Sequence, residues 1–315
     1  MKLGVYALFF GLFAFSDGAI AGDLEANGTP AQDQGAFFGN LHGTMGTEIV
    51  SSNGRLLPVI NGGGKFAYDA GPGAFGTQFD VDYFYHDLGW DVPGLGTITG
   101  TFSEVNTAAH LTYLIDEDRK IGFFAGYRSF TKNENDSAGT LSHGSLTGLT
   151  SFNTLFQTIG VGAEGLIAVS DTTYIQARAA LLDNFDDRVT TNNGSGNVTT
   201  DTFNLLPTEF GYTATLGINH QFNQNISGKM DFTYLNILPS SSNDQFVIAN
   251  TGLQYTFDTM PLSVGGVASL IDESSSTGWT QHLYAGAKFT YSFGGSSKGA
   301  KGKLFRSGLF NTYQN

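Results

Sequence analysis

The sequence predicts an all-β protein, an antiparallel up-and-down transmembrane β-barrel of twelve strands, with ten strands and an N-terminal plug as the alternative count. Three observations carry this reading. From Gly35 to Phe293 apolar residues recur with a period of two between polar Gly/Asn/Asp/Ser clusters, and no window sustains a helical period. The alternate face carries Gly, Thr, Ser, Asn and Gln with scattered charges instead of the Lys and Glu of a soluble sheet, which suits a wet interior behind an apolar outside. The periodic segments also reach about 9–11 residues, the length that crosses a bilayer at a tilt.

Composition excludes the competing classes. The 315 residues include 43 Gly, 27 Phe and 13 Tyr with only 14% charged residues, too aromatic for disorder and too poor in Lys and Glu for a helical bundle. A net charge of −13 argues against a nucleic-acid partner. With no cysteine in the chain, disulfides, thiolate metal sites and Cys nucleophiles are all absent. No cofactor is expected.

Residues 1–21 read as a signal peptide: Lys2, an apolar run from Gly4 to Phe15, and the small-x-small site Ala19-Ile20-Ala21. A short periplasmic segment follows at 22–35, then a barrel at 36–293 and a basic Gly/Ser-rich tail at 294–315. The first strand pair is expected at about 37–49 and 57–69 around Ser51-Ser52-Asn53-Gly54, where Gly62-Gly63-Gly64 suggests a bulge or a close backbone approach. The next strand alternates Phe75, Thr77, Phe79, Val81, Tyr83 and Tyr85 with Gly76, Gln78, Asp80 and Asp82. The same alternation carries Ile175–Leu181, Phe210–Ile218, Val247–Phe257 and Leu283–Phe293. Tight turns are read at 116–118, 170–172, 223–225 and 258–260, and longer connections at 87–96, 132–153, 186–207, 239–245 and 272–278.

The signal peptide, the alternating segments and the closing strand Tyr284-Ala-Gly-Ala-Lys-Phe-Thr-Tyr-Ser-Phe293 resemble a Gram-negative outer-membrane β-barrel. The resemblance is porin-like, and the closing strand is also similar to autotransporter translocator barrels. It implies an outer-membrane location, outer-membrane lipid and the barrel-assembly machinery as partners, and tight turns on the periplasmic side. The segment at 22–35 is too short for an autotransported passenger. In that class the last strand usually ends the protein on an aromatic residue, whereas 22 residues follow Phe293 here.

Placing the polar face inward nominates Asp80, Asp82, Glu104, Arg128, Glu164, Arg178, Lys229, Asp231 and Lys288 as pore-lining candidates, with Glu48, Lys65 and Glu209 beside them. Rings of side-chain charge select ions, and the excess of acids in this set favours cations weakly; the alternative is that the charges brace a narrow lumen. His42, His110 and His282 fall on polar faces, His220 on an apolar one, and His86 and His143 in expected loops. They match no metal or hydrolase motif. Trp90, Trp279, Tyr83, Tyr85, Tyr255 and Tyr291 lie near segment ends, as membrane-interface aromatics do. The tail carries Lys298, Lys301, Lys303 and Arg306 and no acid, which suits an unstructured extension or a contact with an anionic periplasmic partner. The expected function is a passive channel for small hydrophilic solutes, with no catalytic residue. The alternatives are a non-conducting structural or surface-contact barrel and, more remotely, a lumen-sited hydrolase.

Overall fold

The computed structural model describes residues 36–50, 56–70, 72–92, 96–135, 141–143, 146–192, 198–203, 210–237, 244–275, 278–294 and 304–305. The expected signal peptide and the segment at 22–35 lie outside the described residues. Within them are the strands β1 (Ala36–Val50), β2 (Leu56–Asp69), β3 (Ala74–Val92), β4 (Gly96–Leu114), β5 (Arg119–Asn135), β6 (Leu141–His143), β7 (Leu146–Leu149), β8 (Ser151–Ser170), β9 (Thr173–Asn192), β10 (Val198–Phe203), β11 (Phe210–Gln221), β12 (Ile226–Ile237), β13 (Asp244–Thr256), β14 (Leu262–Ser275) and β15 (Gly278–Phe293).

Twelve of these strands, β1–β5, β8, β9 and β11–β15, pair antiparallel in chain order. β15 then pairs with β1 from Gly39↔Phe293 to Val50↔His282 and closes the barrel. Closure leaves no edge, which a sheet set in lipid requires because no water is there to satisfy an open one. β6 and β7 form a separate hairpin, and β10 pairs with the far end of β9 from Val198↔Asn192 to Phe203↔Asp187.

The period of two places the side chains. Along β11, Phe210, Tyr212, Leu216 and Ile218 are exposed on the outside, while Gly211, Thr213, Thr215 and Gly217 are buried on the inside. On β3 the outward residues Phe75, Phe79 and Val81 are exposed, Tyr83 and Tyr85 follow, and the Tyr85 hydroxyl donates to Asp87 at 2.7 Å, the first outward acid. Ten residue steps from Phe75 to Tyr85, at about 3.4 Å each and tilted about 40°, span roughly 25 Å, the height of an outer-membrane apolar band.

The strands run further than the sequence pattern indicates. β3 continues to Val92 and β4 starts at Gly96, so most of the expected loop 87–96 is strand, and only 276–277 separate β14 from β15. Beyond the bilayer both faces of a strand meet water, so polar residues on both faces erase the alternation while the backbone ladder persists. The tight turns fall at 70–73, 115–118, 171–172, 222–225 and 257–261, all at the end where β1 begins and β15 finishes. Gly62-Gly63-Gly64 forms no bulge, because the register stays unbroken from Lys65↔Asp80 through Gly62↔Tyr83. Gly63 serves a close approach instead: a Cβ there would stand 2.2 Å from the Asp82 carboxylate.

Leu216 sits mid-strand facing outward, whereas Asn219 on the same strand lines an internal cavity. Leu216→Arg is expected to cost about 2–4 kcal/mol at the midplane and to impair assembly, while Asn219→Arg assembles as the native chain does. Heat-modifiable migration of the refolded variants checks both.

Candidate functional site

The lumen divides into a braced wall and an open wall. On the wall formed by β1–β5, β8 and β9, inward charges meet opposite charges or histidines. His110 on β4 lies between two carboxylates, its Nδ1 2.6 Å from Glu164 Oε1 and its Nε2 3.0 Å from Asp80 Oδ2. All three side chains are excluded from solvent or nearly so. The Glu164 carboxylate reaches across Gly122, where a Cβ would stand 3.1 Å from Oε1. Gln78 donates to the other Asp80 oxygen at 2.8 Å. His42 reaches Asp82 at 2.9 Å by passing over Gly63, which separates them in the sheet.

The bracing continues toward both mouths. Glu48 is held by His282 at 2.6 Å and His86 at 3.2 Å. Arg128 donates to Glu104 at 2.6 Å, and Lys120 donates to Asp69 at 2.8 Å, both members of the latter pair being buried. The Arg178 guanidinium lies 3.9 Å from the Phe124 ring centroid. Buried charges are tolerated at this density only when each meets a counter-charge or hydrogen-bond partners. Apolar inward side chains lie among these pairs: Phe124, Ala180, Leu182 and Leu235 form one cluster, and Val59, Phe84, Val267 and Tyr284 another.

Part of the tail lies inside the barrel. Phe305 is fully buried, packed with Leu114, Leu166 and Tyr174. Its ring is parallel to the His110 imidazole at 6.3 Å between centroids, with Phe124 on the imidazole at 5.6 Å. Its amide donates to Gln78 Oε1 at 2.8 Å, and its carbonyl accepts from Gln78 Nε2 at 3.1 Å and Lys65 Nζ at 3.2 Å. This departs from the expected unstructured extension at the described positions, because a single large aromatic gains enough by burial in an apolar niche to hold its own segment there.

The opposite wall is built from small polar residues. A cavity of about 800 Å³ runs from the tight-turn mouth to the level of Thr44, Asn61, Gln176 and Val267, lined on β11–β15 by Gly217, Asn219, Ser227, Gln254, Ser263 and Thr290 among others. Lys65, Lys229, Asp231 and Lys288 border it, and Leu304 and Phe305 form part of its boundary.

Asp80, Asp82, Glu104, Glu164 and Arg178 are thus buried in the braced wall with Arg128 beside them, while Lys229, Asp231 and Lys288 border the cavity. Asp231 also accepts from Asn250 at 2.9 Å. Tyr83 and Tyr85 stand at the upper edge of the apolar band, and Tyr255 and Tyr291 lie near the tight-turn ends of β13 and β15. Trp90 and Trp279 belong to β3 and β15, but their side chains, like Glu209, lie outside those described. His86, expected in a loop, is an inward residue of β3 because that strand is longer than its pattern. His220 faces outward and bonds Thr173 Oγ1 at 2.8 Å. Sequence reasoning missed Asp69, Lys120, Gln78 and Phe305; the first three alternate correctly with apolar neighbours and were open to detection on that ground, whereas Phe305 has no periodic signal.

Chemically the wall is suited to bracing more than to turnover. Both ring nitrogens of His110 face carboxylates, leaving neither for a hydroxyl nucleophile. Among the described residues no group of three or more His, Asp or Glu is placed to hold a metal ion. Outside the strands, a hydrogen bond from the Arg119 guanidinium holds the exposed Asp116 carboxyl below its ordinary range.

The closed sheet, its apolar outer band and its polar, charge-paired lumen define an outer-membrane β-barrel protein of the Gram-negative type. No family model matches the chain, and no curated protein sequence matches it. Among solved structures, the translocator domain of the autotransporter NalP from Neisseria meningitidis is similar at 12% identity and TM-score 0.48, covering 93% of this chain and 98% of that one. The CymD monoaromatic hydrocarbon channel gives 12% and 0.47, covering 82% and 89%. The KdgM porin in complex with disordered oligogalacturonate gives 12% and 0.39, covering 81% and 99%.

Removing the imidazole leaves two buried carboxylates facing each other. His110→Leu is expected to destabilise the barrel by about 3–5 kcal/mol, read as a lower urea midpoint, whereas Arg119→Ala at the exposed turn leaves the midpoint unchanged.

Proposed function

We propose that the barrel is a passive channel for small hydrophilic solutes, with the permeation path along the small-residue wall of β11–β15. The observation that carries this reading is the cavity of about 800 Å³, lined by both polar and apolar side chains, that opens at the tight-turn mouth and follows that wall. Two apolar clusters, one with Leu182, Leu235 and Phe246 and one with Tyr284, project into the lumen, where apolar constrictions restrict flow by dewetting.

The solute class follows from which charges meet the cavity. Asp80, Asp82, Glu104 and Glu164 are committed to His110, His42, Arg128 and one another's neighbours, so they contribute little field to the path. Lys65, Lys229 and Lys288 border the cavity against Asp231 and Asp171. Counting every inward charge gives weak cation preference; the charged residues that line the cavity, three lysines against two aspartates, favour small anionic solutes whatever their own partners.

Conductance in a planar bilayer tests this. The refolded protein is expected to show discrete unitary steps, Asn219→Trp to reduce them, and a salt gradient to give a reversal potential on the anion side. The double substitution Lys229→Gln with Lys288→Gln is expected to move it toward cations, most clearly at low ionic strength, since the Debye length shrinks to about 3 Å at 1 M salt. Asp80→Asn leaves it in place. A silent barrel that still migrates heat-modifiably supports the structural alternative instead.

A further inference from the structure

The niche around Phe305 has the construction of a recognition site. One side chain, Gln78, reads both backbone groups of one residue: its carbonyl oxygen accepts the Phe305 amide and its NH₂ donates to the Phe305 carbonyl, at 2.8 Å and 3.1 Å. These are the two hydrogen bonds that a neighbouring β-strand would supply to an extended residue. Lys65 adds a third, charge-assisted bond to the same carbonyl at 3.2 Å. The ring then enters a slot closed by the His110 imidazole, by Leu114, Leu166 and Tyr174, and by the Lys120 ammonium 5.6 Å from the ring centroid. Gln78 and Lys120 are almost wholly buried, so without an occupant their polar groups would open onto the lumen.

The walls of the slot are also tied to residues other than the occupant. His110 is fixed by Asp80 and Glu164, Lys120 is fixed by Asp69, and Gln78 is tied to Asp80. A pocket whose walls are held by their own ion pairs loses little entropy on binding. The occupant, by contrast, comes from a tail whose flanking sequence, Gly-Ser-Ser-Lys-Gly-Ala-Lys-Gly-Lys before Leu304, offers almost no apolar side chain. The contacts described for this occupant are those of one ring and of the two backbone groups of Phe305, an interaction of a size that exchanges.

We propose that this niche is a peptide-binding site, specific for an aromatic side chain on an extended segment, and that the chain's own Leu304–Phe305 step is its ligand, held reversibly as a plug at the tight-turn mouth. The site stands on the contacts alone; the plug rests on the channel reading above, because Phe305 borders the cavity assigned as the path.

The test uses the full chain and a dye-labelled synthetic peptide of residues 300–310, read by fluorescence anisotropy in detergent. The full-length Phe305→Ala barrel is expected to bind the peptide about tenfold or more tightly than the native barrel, whose own tail competes, given what burying one Phe ring contributes. A peptide with Ala in place of Phe305 is expected to bind neither, and adding Gln78→Leu to the Phe305→Ala barrel removes binding. Equal binding of the two peptides, or none to a folded Phe305→Ala barrel, overturns the site. Should that variant fail to assemble, replacing Phe305 by photoreactive benzoylphenylalanine in the otherwise native chain decides the matter: cross-links to β4, β5 or β8 support the site and their absence refutes it. In the bilayer, Phe305→Ala is expected to conduct more than native protein, with the peptide restoring the block from one side only. Peptide that binds without changing conductance overturns the plug and leaves the site. Two silent barrels remove the channel and the plug together, while the anisotropy result still decides the site.

Discussion

A lumen walled by a sheet set in hydrocarbon gives buried charges nowhere to go but to each other, and the pairing of His110 with Asp80 and Glu164 is where this constraint concentrates. Three strands, β3, β4 and β8, are joined through that imidazole. Phe124 and Phe305 both stack against it, and Phe124 in turn carries Arg178 from β9. An uncompensated carboxylate here would face a low-dielectric interior at a cost of several kcal/mol. The histidine, its acids and its aromatic neighbours therefore specify the relative registers of the strands that carry them, alongside the backbone ladder that permits those registers.

This bracing divides the interior unequally. The strands β1–β5, β8 and β9 fill their half with ion pairs and with Phe305, while β11–β15 present Gly, Ser, Thr and Asn and leave a cavity. Inward glycines belong to both halves but act differently. On the braced side Gly63 and Gly122 are gaps through which Asp82 and Glu164 reach histidines on strands that do not adjoin their own. On the open side Gly217 and Gly252 help define the space itself. A charge count over the whole lumen thus mixes the buried pairs of the braced half with the charges that border the cavity, Lys65, Lys229, Lys288, Asp171 and Asp231.

Much of the barrel was legible from alternation alone. The period of two along Phe75–Tyr85 and Phe210–Ile218 fixes which side chains face lipid, because one face must be apolar and the other cannot be. The inward positions of Asp80, Asp82, Glu104 and Glu164 follow directly. Strand ends were not legible: Asp87, Gly89 and Asp91 read as loop, yet pair with Thr101, Thr99 and Thr97, since the ladder needs only backbone. His86 was misplaced for the same reason. Partner choice inside the lumen was also hidden, because His42 and Asp82, or His110 and Glu164, are joined across an intervening strand whose glycine carries no pattern of its own. Phe305 lay furthest from prediction, an aromatic in a basic tail with no periodic pattern, visible only once the niche of Leu114, Leu166 and Tyr174 exists to receive it.

The division of the lumen can be measured directly because the native chain contains no cysteine. Single substitutions Asn219→Cys, Ser227→Cys and Gln254→Cys on the open wall, Asn106→Cys on the braced wall, and Ile218→Cys and Leu253→Cys on the outside would be labelled in liposomes with a charged, water-soluble maleimide and with a lipid-soluble one. The account predicts rapid reaction of the three open-wall thiols with the water-soluble reagent, little reaction at Asn106→Cys, and reaction of the outer thiols only with the lipid-soluble reagent. Equal labelling of open-wall and braced-wall positions by the water-soluble reagent would contradict it.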